Sequence, residues 1–304
     1  MTDEEILREL EPEAERLLNR HLASAEEWYP HEQVPWDRAA RLETEGFIYG
    51  QAPLCEGVRS ALLVNLLTED NLPWYTRTIS RMFGGDSAWG AWAQRWTAEE
   101  GRHAVAMRDY LMVTRSVDPD ELENSRMTHM STGFKNSHED QLLHGVAYVA
   151  FQELATRVAH RNTGHLSNDE VCDQLMQRIA LDENLHMLFY RNVLSGALDL
   201  APDQAMVAIV DVLTNFEMPG ASIEGFGRKS IQMALAGVYD ARQHLDEVIQ
   251  PILRQWNIFE RNDFGPAGEA KREELAVFLA DLETQASKFE HMRDARRARV
   301  AAKQ

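Results

Sequence analysis

Apolar residues recur along most of this chain at spacings of three and four, the period of helices that bury one face. The pattern predicts helices over about 3–22, 56–82, 87–115, 139–163, 168–197, 203–215, 224–255 and 270–297. Glycine, proline and short polar residues punctuate it at Phe83-Gly84-Gly85-Asp86, Asp118-Pro119, Thr163-Gly164 through Ser167-Asn168, Ala201-Pro202 and Phe264-Gly265-Pro266. Residues 23–55 carry Pro30, Pro35 and Pro53 beside Trp28, Tyr29 and Trp36, which predicts irregular chain laid over the helices. No alternating run long enough for a strand and no Gly/Ser linker interrupts the series. The expectation is an all-α chain, one helical domain over 1–304, built as a four-helix bundle with additional packing helices. The run RDARRARVAAK makes 293–304 a basic tail, expected to fray.

The apolar pattern is broken by six residues with chemistry of their own. In chain order they are Glu69, then Glu100 with His103, then Glu153, then Glu183 with His186. Glu69 and Glu100 are 31 residues apart, and Glu153 and Glu183 are 30 apart. The midpoint of the first pair falls between Gly84 and Gly85, and that of the second on Asn168. If those turns close antiparallel helix pairs, residues equidistant from each turn sit at one height and face each other. Each Glu-x-x-His pair shares a helix face, so its two side chains can reach one metal. Four carboxylates and two imidazoles from four helices suit a carboxylate-bridged pair of iron ions, with manganese as a substitute.

One Glu-x-x-His is a weak signal, since chance supplies about one in a chain of this composition. The near repeat strengthens it, as does Glu153, which lies inside VAYVAFQELA, where an unpaired carboxylate would be costly. Glu69 and Glu153 are expected to bridge or cap the ions. Glu99 and Asp182 each precede a candidate ligand. Because metal-bound histidine usually donates its other N–H to a carboxylate, a cross arrangement of Asp182 to His103 and Glu99 to His186 is expected. Thr156, three after Glu153, presents a hydroxyl on the same face. Trp96, one turn before Glu100, is a candidate for electron transfer or for ordinary core. Asp240/His244 has helical spacing but no symmetric mate. His160 and His165 are expected to serve the end of the Glu153 helix.

Composition narrows the classes. A net charge of −18, from 49 acidic and 31 basic residues, argues against nucleic acid or an anionic membrane as the main partner. No apolar run suffices to span a bilayer, and the acidic, amphipathic N-terminus is unlike a secretory or transit peptide. Two cysteines, Cys55 and Cys172, imply no disulfide framework and fit a cytoplasmic location.

At these residues the chain resembles the soluble acyl-acyl carrier protein desaturases, and their bacterial branch in particular. The matching words are TEDNLP (68–73), WTAEEGRH (96–103), FQELATR (151–157), HRNTG (160–164) and DENLHMLFYRN (182–192), within a likeness running from about 5 to 292. The resemblance implies a ferritin-like fold and makes Glu69, Glu100, His103, Glu153, Glu183 and His186 the ligands of two iron ions. It also implies oxygen or proton handling at Thr156 and a hydrogen-bonded path from the surface through Asp182. The activity implied is O2-dependent removal of two hydrogens from adjacent methylenes, leaving a cis double bond. The acyl chain would arrive on acyl carrier protein and thread an apolar channel, with electrons normally from ferredoxin, in a homodimeric enzyme of fatty acid biosynthesis.

The chain departs from that pattern in two places. Gly101 stands where the family word commonly has Asn, and Asn184-Leu185 replace a basic pair of the plant members. Docking of the acidic carrier would then fall to other residues, with Arg228 and Lys229 as candidates. Cavity depth is expected to depend on Thr76, Arg77, Ser80 and Arg81. A di-iron hydroxylase and a non-catalytic iron- or carrier-binding relative stand as alternatives. Met107, where the radical-bearing subunit of ribonucleotide reductase usually has Tyr, counts against that enzyme.

Overall fold

Most helices begin where a side chain or a proline takes care of the free N–H groups of the first turn. In the computed structural model, which describes residues 1–39, 54–133 and 141–301, α1 (Asp3–Ser24) opens on a capping box between Thr2 and Glu5. α2 (Glu56–Asp70) and α3 (Leu72–Phe83) follow, then α4 (Ser87–Val113). α5 (Pro119–Thr132) is capped by Asp118, which accepts from the N–H groups of Asp120 and Glu121 at 3.0 and 3.1 Å. α6 (Leu142–Leu166) and α7 (Glu170–Leu200) form a long pair, α7 being capped by Asp169. α8 (Pro202–Thr214) and α9 (Phe226–Ala236) precede α10, a composite of Ala241–Gln243, a π-helical stretch His244–Ile249 and Gln250–Gln255. α11 (Pro266–Ala301) closes the described chain. No strand occurs among the described residues.

The core of the fold is α2–α3 against α4 and α6 against α7, with α1 laid across α4 and α7. Buried Phe151, Leu154, Tyr190, Leu194, Trp92 and Trp96 belong to the main apolar cluster, and Leu62, Leu66, Met107, Tyr110 and Ile179 to a second. Both expected turns are present. Gly84 takes φ +79° after α3, and Asn168 takes φ +54° between α6 and α7, each in the left-handed region that turns a chain sharply.

Several expected boundaries move. The helix read over 56–82 is two helices, because Pro73 has no N–H to give to the carbonyl of Glu69. The hydroxyl of Tyr75 donates instead to the carbonyl of Thr68 at 3.1 Å. The helix read over 224–255 breaks at Gly237 (φ +91°), and Asp240 caps the next one. α5 has no counterpart in the apolar pattern, since of its residues only Leu122 and His129 are buried. In the basic run, the helix continues through Ala301, and Arg293 pairs with Asp240 at 2.7 Å. Of the segment read as irregular chain, residues 40–53 lie outside the described residues; the part before them carries a short turn, Pro30–Glu32, and a helical stretch at 36–39.

Candidate metal centre

Each core helix brings one part of the site. Glu69 comes from the last turn of α2, Glu100 and His103 from the middle of α4, Glu153 from α6, and Glu183 and His186 from α7. All six are buried. Their ligand atoms form two overlapping groups, each within 4.8 Å: Glu69, Glu100, His103 and Glu183 in one, Glu100, Glu153, Glu183 and His186 in the other. Glu100 and Glu183 belong to both, so they would be shared by two ions held there, with Glu69 and Glu153 each serving one. The symmetry read from the turn midpoints is present in three dimensions.

Inward-facing atoms carry the metal argument. His103 Nδ1 lies 3.3 Å from Glu183 Oε1 and 3.5 Å from Glu100 Oε2. His186 Nδ1 lies 2.7 Å from Glu100 Oε1 and 3.6 Å from Glu153 Oε2. Glu100 Oε1, His103 Nδ1, Glu153 Oε2, Glu183 Oε1 and His186 Nδ1 are buried without a hydrogen-bond partner. Orphaned polar atoms are costly in a core, and five pointing at one another mark the place of a cation. Oxygen-rich donors with two imidazoles fit iron or manganese. Among the protein groups alone, burial and the charges of Glu183 and Glu69 push Glu100 up to about 7.

The outward atoms are held from behind. Trp96 Nε1 donates to Glu153 Oε1 at 3.0 Å, so this tryptophan touches a candidate ligand directly. The Thr156 hydroxyl donates to Glu183 Oε2 at 2.9 Å, with the carbonyls of Gln152 and Glu153 as nearby alternatives. The expected cross arrangement is found: His186 Nε2 to Glu99 Oε2 at 2.9 Å, and His103 Nε2 to Asp182 Oδ2 at 3.4 Å. Asp182 also accepts from Trp28 Nε1 at 2.7 Å, from Arg102 at 3.2 Å and from Arg178 at 2.5 Å. Burial alone would raise its pKa, but the His103 contact and the Trp28 bond outweigh burial and hold it at about 2.

Two histidines belong here that the sequence does not reveal. His160, expected at the helix end, is buried beside the site, with Nε2 3.3 Å from Glu69 Oε1 and 3.6 Å from Glu183 Oε1. His21, from α1, lies 2.9 Å from Glu99. Neither stands at i+3 from a glutamate, so spacing offers no cue. The only local hint is that His160 is one turn beyond Thr156 on α6. His244 is elsewhere, its Nδ1 accepting from Tyr239 at 2.7 Å.

An apolar cavity reaches the site, lined by Glu69, Glu100 and Trp96 together with Tyr75, Thr78, Ile79 and Met82 of α3 and Gly145 of α6. A second shares Thr68 and Glu69 with it and is lined by Thr156, His160, Phe226 and Tyr239. The α3 face at the cavity is therefore 75, 78, 79 and 82, and not Thr76, Arg77, Ser80 and Arg81. Thr76 bonds Thr97 instead, and Arg77 lies over the Trp74 ring. Arg228 and Lys229 sit apart, on an open groove shared with Glu56 and Arg59. Arg228 is largely exposed, 3.3 Å from Glu56.

A model of the family described as fatty acid desaturase matches residues 2–304. The chain belongs to the fatty acid desaturase family. It is 49% identical over 300 residues to the putative acyl-acyl carrier protein desaturase DesA1 of Mycobacterium tuberculosis, covering 95% of this chain and 89% of that one. It is 29% identical to the chloroplastic stearoyl-acyl carrier protein 9-desaturase of Simmondsia chinensis, over 88% of this chain and 72% of the relative. Among solved structures, the X-ray structure of the putative acyl-ACP desaturase DesA2 from Mycobacterium tuberculosis H37Rv superposes with a TM-score of 0.70 at 29% identity, covering 88% and 98% of the two chains. The desaturase-family chain thus shares a ferritin-like helical fold. No helix among its described residues is long and apolar enough to cross a membrane.

Proposed function

We propose that this desaturase-family chain introduces a cis double bond into an acyl chain carried on acyl carrier protein, using O2 and two electrons, in fatty acid biosynthesis. The observation that carries this reading is the set of five partnerless ligand atoms converging beside an apolar cavity that Glu69 and Glu100 line. Glu69, Glu100, His103, Glu153, Glu183 and His186 would hold two iron ions per chain, with manganese as a substitute. Bound there, the metal pair supplies the redox chemistry by which –CH2–CH2–, O2, two electrons and two protons become –CH=CH– and two waters.

The protein's part is to align and to exclude. Tyr75, Ile79 and Met82 give the acyl chain an apolar wall that places its methylenes beside Glu69 and Glu100 and keeps water out. The Thr156 hydroxyl holds a proton against Glu183, ready for transfer at the cavity surface. Trp96, Glu99 and Asp182 fix one atom each of Glu153, His186 and His103, leaving the opposite atom free to ligate. Trp28, Asp182 and His103 form a connected line from the outer wall inward, suited to electrons from ferredoxin or a similar donor. Exposed Arg228 and half-buried Lys229 are the proposed docking points for the acidic carrier, the chain as a whole being strongly acidic. A cytoplasmic homodimer completes the reading.

Aerobic incubation of iron-loaded protein with reduced ferredoxin and acyl-carrier substrates of several lengths tests it, with mass spectrometry of the product. Loss of two hydrogens is the expected result. Gain of oxygen would make the chain a hydroxylase, and iron binding without any O2 reaction would make it a binding relative.

A further inference from the structure

The N-terminal helix α1 contributes no residue to the six, yet its last turn sends a histidine in behind them. His21 is 4% exposed and lies between α4 and α7. Its Nε2 is 2.9 Å from Glu99 Oε2, the same oxygen that His186 Nε2 reaches at 2.9 Å. A carboxylate oxygen only accepts, so each of these ring nitrogens carries a proton and donates it. The other oxygen, Oε1, accepts from Arg95 Nε at 2.6 Å. Glu99 is thereby fixed by three donors from three directions.

We propose that His21 is a positioning residue for His186, acting through Glu99, and that docking of α1 sets the orientation of one metal-ligand histidine. The proposal rests on the metal reading of the site. His21 itself is locked, its ring edge-on to Trp92 at 5.0 Å and stacked over His186 at 5.9 Å. Helix α1 is anchored along its length by Ile6, Leu10, Ala14 and Leu17 in the core. With Glu99 held on both oxygens, His186 keeps its proton on Nε2 and turns Nδ1 toward Glu100 and Glu153. Without His21, Glu99 Oε2 keeps only the His186 donor. Its carboxylate is then free to swing toward Arg95 and Arg102, whose terminal nitrogen already lies 3.7 Å from Oε1. The opposite arm needs no such residue, since Asp182 is held by Trp28, Arg102 and Arg178.

The test compares the full-length native chain with H21L and H21Q, loaded with Fe(II) without oxygen. Gln places an amide N–H near the position of the imidazole Nε2, whereas Leu fills space without donating. Two readouts follow: the rate of iron release to a chelator, and the solvent-exchangeable, paramagnetically shifted N–H protons of the ligand histidines. The native chain is expected to show two such protons. In H21L one broadens or vanishes and iron leaves about 10-fold faster, the lower range for loss of an outer hydrogen bond at a metal site; H21Q keeps both protons and the native rate. If H21L loses helical circular dichroism, H21N, too short to reach Glu99, takes its place. A folded H21L with native protons and native release overturns the proposal, as does a folded H21Q that fails like H21L. A native chain that takes up no iron overturns the metal reading and this proposal together, so the two failures are distinguishable.

Discussion

His160 of α6 reaches Glu69 of α2, and Asn65 holds the far side of its ring. The amide nitrogen of Asn65 lies 3.2 Å from His160 Nδ1, and His160 Nε2 lies 3.3 Å from Glu69 Oε1, one turn further along α2. An amide nitrogen only donates, so Nδ1 accepts and Nε2 carries the proton that Glu69 receives. His160→Phe removes that donor, leaving Glu69 Oε1 without it and the Asn65 amide without its acceptor. Iron affinity is expected to fall about 10-fold, while His160→Gln, which can still donate to Glu69, retains most of it. Calorimetric titration of both variants decides the matter, and equal losses would remove the hydrogen bond as the cause.

Glu153 and His186 sit in one of the two overlapping ligand groups and Glu69 and His103 in the other. Glu153→Ala or His186→Ala is therefore expected to cost roughly one of two iron ions and all turnover, with the fold kept, because each such ion depends on its own glutamate and histidine. Metal analysis beside circular dichroism checks it. Unchanged iron content in either variant would refute the ligand assignment.

The six residues were legible because symmetry is written in spacing: each Glu pair is centred on its turn, and helices of fixed rise carry that register into space. The positions of Glu99 and Asp182 were legible for the same reason, one residue from a ligand on a known face. His21 and His160 were not, since their roles come from tertiary packing of single residues on α1 and α6. The break at Asn71 was signalled by Pro73, but the apolar pattern continues across it and masks the change of direction. α5 left almost no trace because it buries only Leu122 and His129. Helix periodicity reports a buried face, and a helix that hardly buries one is silent.

Acid should expose the role of Asp169. This carboxylate caps α7 by accepting from Val171 N at 2.9 Å, bonds the Tyr110 hydroxyl at 3.1 Å and pairs with Arg38. Burial raises its pKa, but the hydrogen bonds and charge of Arg38 outweigh burial and hold it below the ordinary aspartate value. A depressed folded pKa gives stability that is present above the unfolded value, about 3.9, and is lost as pH falls through the folded one. Asp169→Asn keeps the cap and loses the ion pair. It is expected to be about 1–2 kcal/mol less stable at pH 7, as for a hydrogen bond to a charged group, with the gap closing below about pH 4. Denaturant midpoints at pH 7 and pH 3 measure it; a gap that persists or widens in acid would contradict the pairing.

Chain-length preference should turn on Gly145 and Met82, which pack together at the lining of the apolar cavity. A Cβ at Gly145 would meet Met82 Sδ at 2.6 Å, so any larger side chain must displace Met82 toward the space proposed for the acyl chain. Gly145→Val is expected to shift kcat/KM toward shorter acyl groups by about 10-fold or more, since one methylene in an apolar pocket is worth about 1–3 kcal/mol. Met82→Ala should shift it the other way. Competition between acyl-carrier substrates of different length gives the ratio directly, and parallel shifts in the two variants would place the end of the channel elsewhere.

Gly101 separates a structural cost from a functional need. It lies in mid-helix on α4, directly after Glu100 and two before His103, where glycine costs about 0.8–1.0 kcal/mol relative to alanine. The site does not demand it for space or for backbone conformation. An added Cβ meets only Leu72 Cδ2 at 3.8 Å, an ordinary contact, and the residue has no positive φ. Gly101→Ala is therefore expected to raise the unfolding free energy by about 1 kcal/mol, with iron content unchanged. Turnover then tells the two apart. If it also holds, glycine here is simply tolerated; if it falls while stability rises, α4 must yield beside Glu100 during the reaction. A loss of stability would instead mean that Leu72, at the start of α3, cannot accept the methyl group, and that the helix break after Glu69 is packed more tightly than the 3.8 Å contact implies.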